Sequence, residues 1–525
     1  MDTKEPLRWK SIFFMKLDKL KTNQYFKTTL LFLLIWFVVS NSRTASFFEL
    51  HKGACYVGLL VLYVTMLIVQ YRIKGKIEDY SFLVGGFLFQ FIYVTVTGYL
   101  VSTHDLGTFP GFDTDYISAG HLGYIGYIFN YGHLPDFNPM PVWGFYHPPL
   151  HFIIGAIWLK CNVLLELSEA MCLENLQLLT MFYNMLSLCV FYSILQELKF
   201  SERIKRVWVL FISFFPFFFH NAGSLANDSL AILLALVAVL YTIKWYHNQS
   251  WKNIVVLAFA IGLGMMTKLT VGLLAPATAF VFLVVLWRRR QEWKYMFSQF
   301  SVFGVICVPL GLWWSIKNAI LYEMPIAYVQ PILASAQEVS MFSPWERLFP
   351  SVNTWLNPFL TYHNFTFSID YGIFSTMIKS ALFSDFPFYH HIQWQYQLCR
   401  LLVILTLILL LFGFAVFIWK VYEHIRYKQW KDAVFWFGSI ALIVQMVMYI
   451  TFAFNYPVVC SADFRYIVPI ISYFLIVSRQ SKELNQKTST VRLREVTLIV
   501  AEVLITLFAV IAAFLYTMCL LGLVG

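Results

Sequence analysis

Charge is what this chain has least of. Only 13% of its 525 residues are Asp, Glu, Lys or Arg, against about a quarter in soluble domains. Mean hydropathy is +0.67. Both values exclude an ordinary soluble globular protein. Alternating apolar and polar segments of about ten residues are also missing, which excludes a membrane β-barrel. What is present is a series of long apolar runs from Tyr25 to the C-terminus, with 52 Phe and 19% aromatic residues. Such runs satisfy their backbone hydrogen bonds as helices, so the chain reads as an all-α polytopic membrane protein.

Other absences narrow the function. The eight cysteines, Cys55, Cys161, Cys172, Cys189, Cys307, Cys399, Cys460 and Cys519, form no CxxC pair, so zinc and redox motifs are missing. Cys399 and Cys460 fall near one expected face, which leaves a disulfide between them open. The first apolar run, Thr28 to Ser40, follows a basic segment but has no small-residue cleavage site, and reads as a signal anchor. No repeat, low-complexity tract or separate soluble domain is found. The net charge of +10 carries no interleaved aromatic platform, so nucleic acid is not among the expected partners.

Thirteen spans are expected: 28–44, 53–71, 80–102, 174–197, 207–222, 229–245, 252–267, 269–287, 297–318, 399–419, 434–454, 464–478 and 497–523. The apolar segment 148–167 contains Lys160, and the charges decide how it is counted. Of 38 Lys and Arg, 29 lie in the loops 1–27, 72–76, 199–206, 244–252, 288–294, 420–431 and 479–494. These loops share one side only if 148–167 dips in and returns or lies along the surface. The positive-inside rule then puts the N-terminus in the cytoplasm and the C-terminus outside, as expected of a multi-pass protein of the cell membrane.

Two outside segments exceed a simple connection: 103–150 and about 321–397. The first is a polar island holding His104, Asp105, Asp113, Asp115, His121, His133, Asp136 and His147. Asp105 follows a span closely, where a carboxylate at the membrane edge accepts a proton from a hydroxyl or caps a helix. Asp113 and Asp115, two residues apart, are weak evidence for a metal, and DTDY serves equally as the cap of a helix beginning near Tyr116. In GHLGYIGYIFNYGHLP, Leu122, Ile125, Ile128 and Phe129 are at helical spacing, which predicts an amphipathic helix lying on the membrane around a packed His121. In YHPPLH two prolines fix the entry to 148–167, and His147 suits a phosphate as cation or hydrogen-bond donor. Asp228 opens a span as a plain cap or a second carboxylate. Lys268 and Arg465 stand at the outer edge, where cations hold a lipid phosphate or snorkel to headgroups.

The order of HDLGTF (104–109), GHLGYIGYI (120–128), LPDF (134–137), FYHPPLH (145–151), LANDSL (225–230), TKLT (267–270), WWSIKN (313–318) and DFRYIVP (463–469) resembles the GT-C glycosyltransferase superfamily. The likeness is to protein O-mannosyltransferases and bacterial aminoarabinose transferases of lipid A. It runs from about 80 to 480 and implies a catalytic membrane domain over 80–480. An extra two-helix hairpin and cytoplasmic segment would lie in 1–79, with a loop and last helix in 481–525. The resemblance implies a polyprenyl-phosphate-linked sugar donor used outside the cytoplasm, usually with inversion, and a glycan, lipid or protein acceptor. It implies Asp105 and Asp228 as the catalytic acids and His147 beside the donor phosphate. His104, Asp113, Asp115, His121, Lys268 and Arg465 join His147 as expected substrate-binding residues. The chain departs from the mannosyltransferase pattern in that Asp105 has no adjacent acid. No metal or other cofactor is required, although a divalent metal stays open. The rival readings are a flippase or transporter of lipid-linked sugars, against which the one-sided polarity and missing repeat count, and a polysaccharide polymerase.

Overall fold

The computed structural model describes residues 23–101, 104–331, 337–361, 369–384, 393–479 and 491–522. The expected N-terminal cytoplasmic segment lies largely outside these residues, as do most of the loop before the last helix and parts of 321–397. Helices dominate. The first four are α1 (Gln24–Val39), α2 (Ser42–Leu50), α3 (Lys52–Lys74) and α4 (Asp79–Thr97). Next come α5 (Gly120–Tyr131), α6 (Leu150–Val163), α7 (Glu169–Glu197), α8 (Glu202–Ser213) and α9 (Phe217–His220). They are followed by α10 (Asp228–His247), α11 (Trp251–Met265), α12 (Ala275–Arg288) and α13 (Trp293–Tyr322). The last are α14 (Pro344–Leu348), α15 (Val352–Leu356), α16 (Ile373–Leu382), α17 (Gln393–Arg426), α18 (Ala433–Asn455), α19 (Ile470–Val477) and α20 (Val491–Gly522). Among the described residues the only β pairing is an isolated bridge between Glu338 and Val458.

Among the described residues nine helical segments are long and apolar enough to cross a membrane, one of them α12 together with the 3₁₀ turn Leu269–Leu274 before it, or ten if α1 and α2, bent by 84°, form one span. The other expected spans are made of shorter pieces. Residues 207–222 are split between α8 and α9 at Phe214–Pro216, where proline cannot continue the hydrogen-bond ladder. Residues 252–267 form the 15-residue α11, and 464–478 hold a 3₁₀ turn and the eight-residue α19. At 14 residues α6 is about 21 Å long, short of a hydrocarbon core of about 30 Å. The spans nearest the centre are buried by their neighbours: most of α7 and α10 is inaccessible, whereas α3 exposes most of its surface.

The basic loops gather at one end. Arg203 pairs with Glu495 and Glu502, and Lys205 with Asp79. Arg288 donates to the Lys431 carbonyl, Arg289 to Gln249, and Arg479 holds Asp432. At the other end of α20, Tyr516 donates to the Leu382 carbonyl, two residues before Ser384, which bonds His104. The polar island and the C-terminal end of α20 therefore share the face opposite the basic loops.

Two local expectations fail here. No helix begins at Tyr116; residues 114–119 are irregular, and α5 starts at Gly120. Nor does α5 lie with one face free. Every residue from Gly120 to Ile128 is buried, because Tyr124 stacks between Phe145 and Phe152 at 4.5 and 4.2 Å. All eight cysteines are free, Cys399 and Cys460 included.

Candidate active site

The sequence motifs meet in space. Gly107 of HDLGTF crosses Gly120 of GHLGYIGYI so closely that a Cβ on Gly107 would sit 1.9 Å from the Ala119 carbonyl oxygen. Both glycines have positive φ, +65° and +85°, a region glycine enters without steric cost. The crossing is held by the His121 and Leu122 amides, which donate to the carbonyls of Asp105 and Leu106 at 2.8 and 2.9 Å. Asp105 is thereby fixed at φ +53°, a conformation costing a non-glycine residue about 1–3 kcal/mol. LPDF meets WWSIKN, where Lys317 donates to the Pro135 carbonyl at 3.0 Å. FYHPPLH meets the approach to TKLT, where the Leu150 amide donates to Met266 at 3.1 Å. LANDSL docks on TKLT through Asn227, which donates to the Thr267 carbonyl at 3.0 Å.

At the junction lies a buried charge network. Asp105 Oδ1 accepts from Trp143 Nε1 at 3.1 Å and Oδ2 from Arg465 Nη1 at 3.3 Å. The same Arg465 nitrogen is 3.8 Å from Asp228 Oδ2. The other oxygen of Asp228 pairs with Lys268 Nζ at 2.5 Å. Tyr466 lies under both cations, its ring 4.6 Å from Lys268 Nζ and 5.0 Å from the Arg465 guanidinium, and its hydroxyl accepts from Arg465 at 3.0 Å. On the far side His104 Nε2 is 3.3 Å from Asp463 Oδ2, while Asp463 Oδ1 accepts from the Arg465 amide at 2.8 Å. Two carboxylates, Asp105 and Asp228, thus share one guanidinium, which stands only 8% exposed.

Burial and charge together set the protonation of this centre. For Asp105 burial alone raises the pKa, but Arg465, helped by His121, His147 and His104, outweighs it and holds the carboxyl well below the ordinary carboxylate range. Burial drives His121 down to about 3, against the pull of Asp105. Burial, reinforced by Lys268, drives His147 down to about 4. His147 is therefore neutral at pH 7, and the cations of this centre are Arg465 and Lys268. His121 and His147 lie ring to ring at 5.5 Å, and neither ring nitrogen of His121 has a hydrogen-bond partner.

Of the expected site residues, His104, Asp105, His121, His147, Asp228, Lys268 and Arg465 converge. Asp113 and Asp115 do not. Both are exposed, and the Asp113 amide bonds Asn130, nine residues or about 13 Å along α5 from His121. They shape the loop: Tyr131 donates to the Asp115 carbonyl at 2.9 Å. Sequence reasoning missed Trp143, Asp463 and Tyr466. The last two sit inside DFRYIVP beside Arg465 and could have been read with it; Trp143 carries no signal. Among the described residues no group of three or more His, Cys, Asp or Glu is placed to hold a metal ion.

Clefts open on both sides of Arg465. One is lined by Asp228, Lys268, Gln445 and Tyr466, the other by His104, His220, Ser224 and Asp463. A larger apolar cavity, open on one side, runs between α8, α16, α17, α19 and α20, from Lys420 and Thr497 near the basic end to Phe464, next to Arg465 in sequence.

Residues 147–314 match the family of dolichyl-phosphate-mannose-protein mannosyltransferases. The matched stretch carries His147, LANDSL and TKLT but ends before DFRYIVP. No curated protein matches the sequence. Among solved structures, the chain is similar to the apo oligosaccharyltransferase of Archaeoglobus fulgidus, at 14% identity and TM-score 0.44, over 86% of this chain and 56% of that one. The form of that protein in complex with Zn and sulfate gives 14% identity and TM-score 0.42, over 83% and 53%. The chain thus spans about half the length of the oligosaccharyltransferase. It is also similar to apo ArnT from Cupriavidus metallidurans, at 14% identity and TM-score 0.36, over 89% and 77%. With scores below 0.5, none of these likenesses bears on what this chain does.

Proposed function

We propose that this chain is a membrane glycosyltransferase that moves a sugar from a polyprenyl-phosphate donor to an acceptor hydroxyl at the outer face, with inversion. The observation that carries the proposal is Arg465, a buried cation bridging two carboxylates between two clefts. The family match over 147–314 supports the reaction class. The apolar cavity ending at Phe464 supports a lipid-borne donor.

In this reading the donor phosphate enters beside Lys268 and draws Arg465 toward it. Asp105 then loses part of the counter-charge that depresses its pKa and becomes a better base. The acceptor oxygen attacks the anomeric carbon while Asp105 takes the hydroxyl proton. The bond from that carbon to the phosphate oxygen breaks, and the polyprenyl phosphate leaves with the electron pair, held by Arg465 and Lys268. Base catalysis contributes about 10²–10⁴-fold, and charge stabilisation at the leaving phosphate adds to it. Asp228 keeps both cations oriented through its two oxygens.

Membranes with and without the protein, supplied with radiolabelled polyprenyl-phosphate sugars, test the reaction. The label passes from the lipid to an acceptor only where the protein is present; a lipid-linked pool that changes sides without losing its sugar would make the protein a flippase. Orientation is tested by single cysteines at Thr108 and Gln291 in a chain stripped of its own cysteines. In intact cells an impermeant reagent labels Thr108→Cys alone, and labelling of Gln291→Cys alone would invert the topology.

A further inference from the structure

The second long helix of the N-terminal hairpin, α3, meets the rest of the bundle along a narrow seam. Tyr56, Tyr63 and Gln70 recur every seventh residue of α3, and each reaches α4 or the turn before it. Tyr56 donates to Thr95 at 2.9 Å and Tyr63 to the Ser81 carbonyl at 3.1 Å, while Gln70 accepts from the Glu78 amide at 2.9 Å. Toward the end of α4 that leads to the active site, the bend between α1 and α2 leaves a cavity open on one side. Its apolar walls include Phe48, Tyr56 and Phe91, and it also holds Glu49, Lys52 and Glu174. Lys52 pairs with Glu49 at 2.7 Å, and one oxygen of Glu174 accepts from the Tyr99 amide at 3.1 Å. None of the active-site residues lines this space.

We propose that this cavity is a phospholipid site selecting an ethanolamine headgroup, with the Glu174 carboxylate for the primary ammonium and Lys52 for the phosphate. Phe48, Tyr56 and Phe91 face the lipid's apolar part. Two carboxylates against one lysine disfavour a purely anionic headgroup. A primary ammonium supplies three N–H donors, which a quaternary one lacks. The position at the ends of spanning helices, at the same face as the active site, is where a phospholipid headgroup resides.

The purified full-length protein is titrated with phosphatidylethanolamine, phosphatidylcholine and phosphatidylglycerol, and bound lipid is counted by native mass spectrometry. Ethanolamine lipid binds tightest. Glu174→Gln weakens it by about tenfold, the loss expected for one charge-assisted hydrogen bond, and leaves phosphatidylcholine unchanged. Lys52→Gln weakens all three. Equal binding of phosphatidylglycerol overturns the proposal, as does an ethanolamine preference that survives Glu174→Gln. Thermal midpoints of both variants in detergent alone are measured alongside, so that a folding defect is separated from lost binding.

Discussion

Both faces of the bundle carry ion pairs, and they are built differently. At the basic face exposure is mixed: Arg203 meets Glu495 and Glu502 with its side chain 48% exposed, while Lys205–Asp79 and Lys420–Glu423 are buried as separate pairs. The Arg203 pairs tie α8 to α20. At the opposite face Asp105 meets Arg465 across 360 residues, and Asp228 meets Lys268 across 40, with no partner more than 21% exposed. Exposed pairs contribute little to stability. Buried ones lose much of their attraction to desolvation, and apolar residues of similar volume often serve stability as well or better. A network that is costly to bury, aligned on one guanidinium and flanked by clefts, is better explained by a ligand than by the fold.

That contrast is broken most forcefully at Arg465. Arg465→Ala leaves Asp105 and Asp228 without their shared cation, and loss of one partner of a buried pair costs about 3–5 kcal/mol. Sugar transfer is abolished and the thermal midpoint falls; Arg465→Lys recovers more of the midpoint than of the activity, because a lysine cannot span both carboxylates. An unchanged midpoint in Arg465→Ala would show that the network is not buried as described.

A smaller effect separates the faces by pH. His147 falls from 6.5 to about 4 on folding through burial and Lys268, so between those values the unfolded chain binds a proton that the folded chain refuses. Stability therefore rises with pH across this window and is lost as pH drops from about 6.5 toward 4. His121 acts in the same direction over a wider range. Thermal midpoints recorded from pH 7 to 4.5 show this slope, and His147→Gln flattens it; a slope unaltered in that variant would place the titration elsewhere. The smallest effect belongs to the basic face. Arg203→Ala leaves transfer and midpoint at wild-type values in both assays, and a loss of transfer there would remove the distinction between the faces.

The sequence made the converging residues legible where chemistry and position coincide. Asp105 directly follows a span, Asp228 opens one, His147 precedes two prolines, and Lys268 and Arg465 are cations at the outer edge of an apolar chain. It misjudged what only packing decides. Asp113 and Asp115 are as acidic as Asp105, but Asn130 and Tyr131 engage the backbone of their turn at the far end of α5. The spacing of Leu122, Ile125 and Ile128 is truly helical, yet Phe145 and Phe152 cover the faces that periodicity alone would leave to lipid. Trp143 is 38 residues from the carboxylate it bonds, and no periodicity links them. Residues 207–222 read as one span because apolarity continues through Phe214–Pro216, while the chain turns there.

The most direct test of the buried network as a catalytic centre is transfer by Asp105→Asn in proteoliposomes loaded with a radiolabelled polyprenyl-phosphate sugar. The asparagine keeps the shape and can still accept from Trp143, but it takes up no proton. Transfer falls by at least about 10²-fold, the effect of removing a general base, while binding of the labelled donor to the same preparation is retained. Full transfer by both Asp105→Asn and Asp228→Asn would contradict the account.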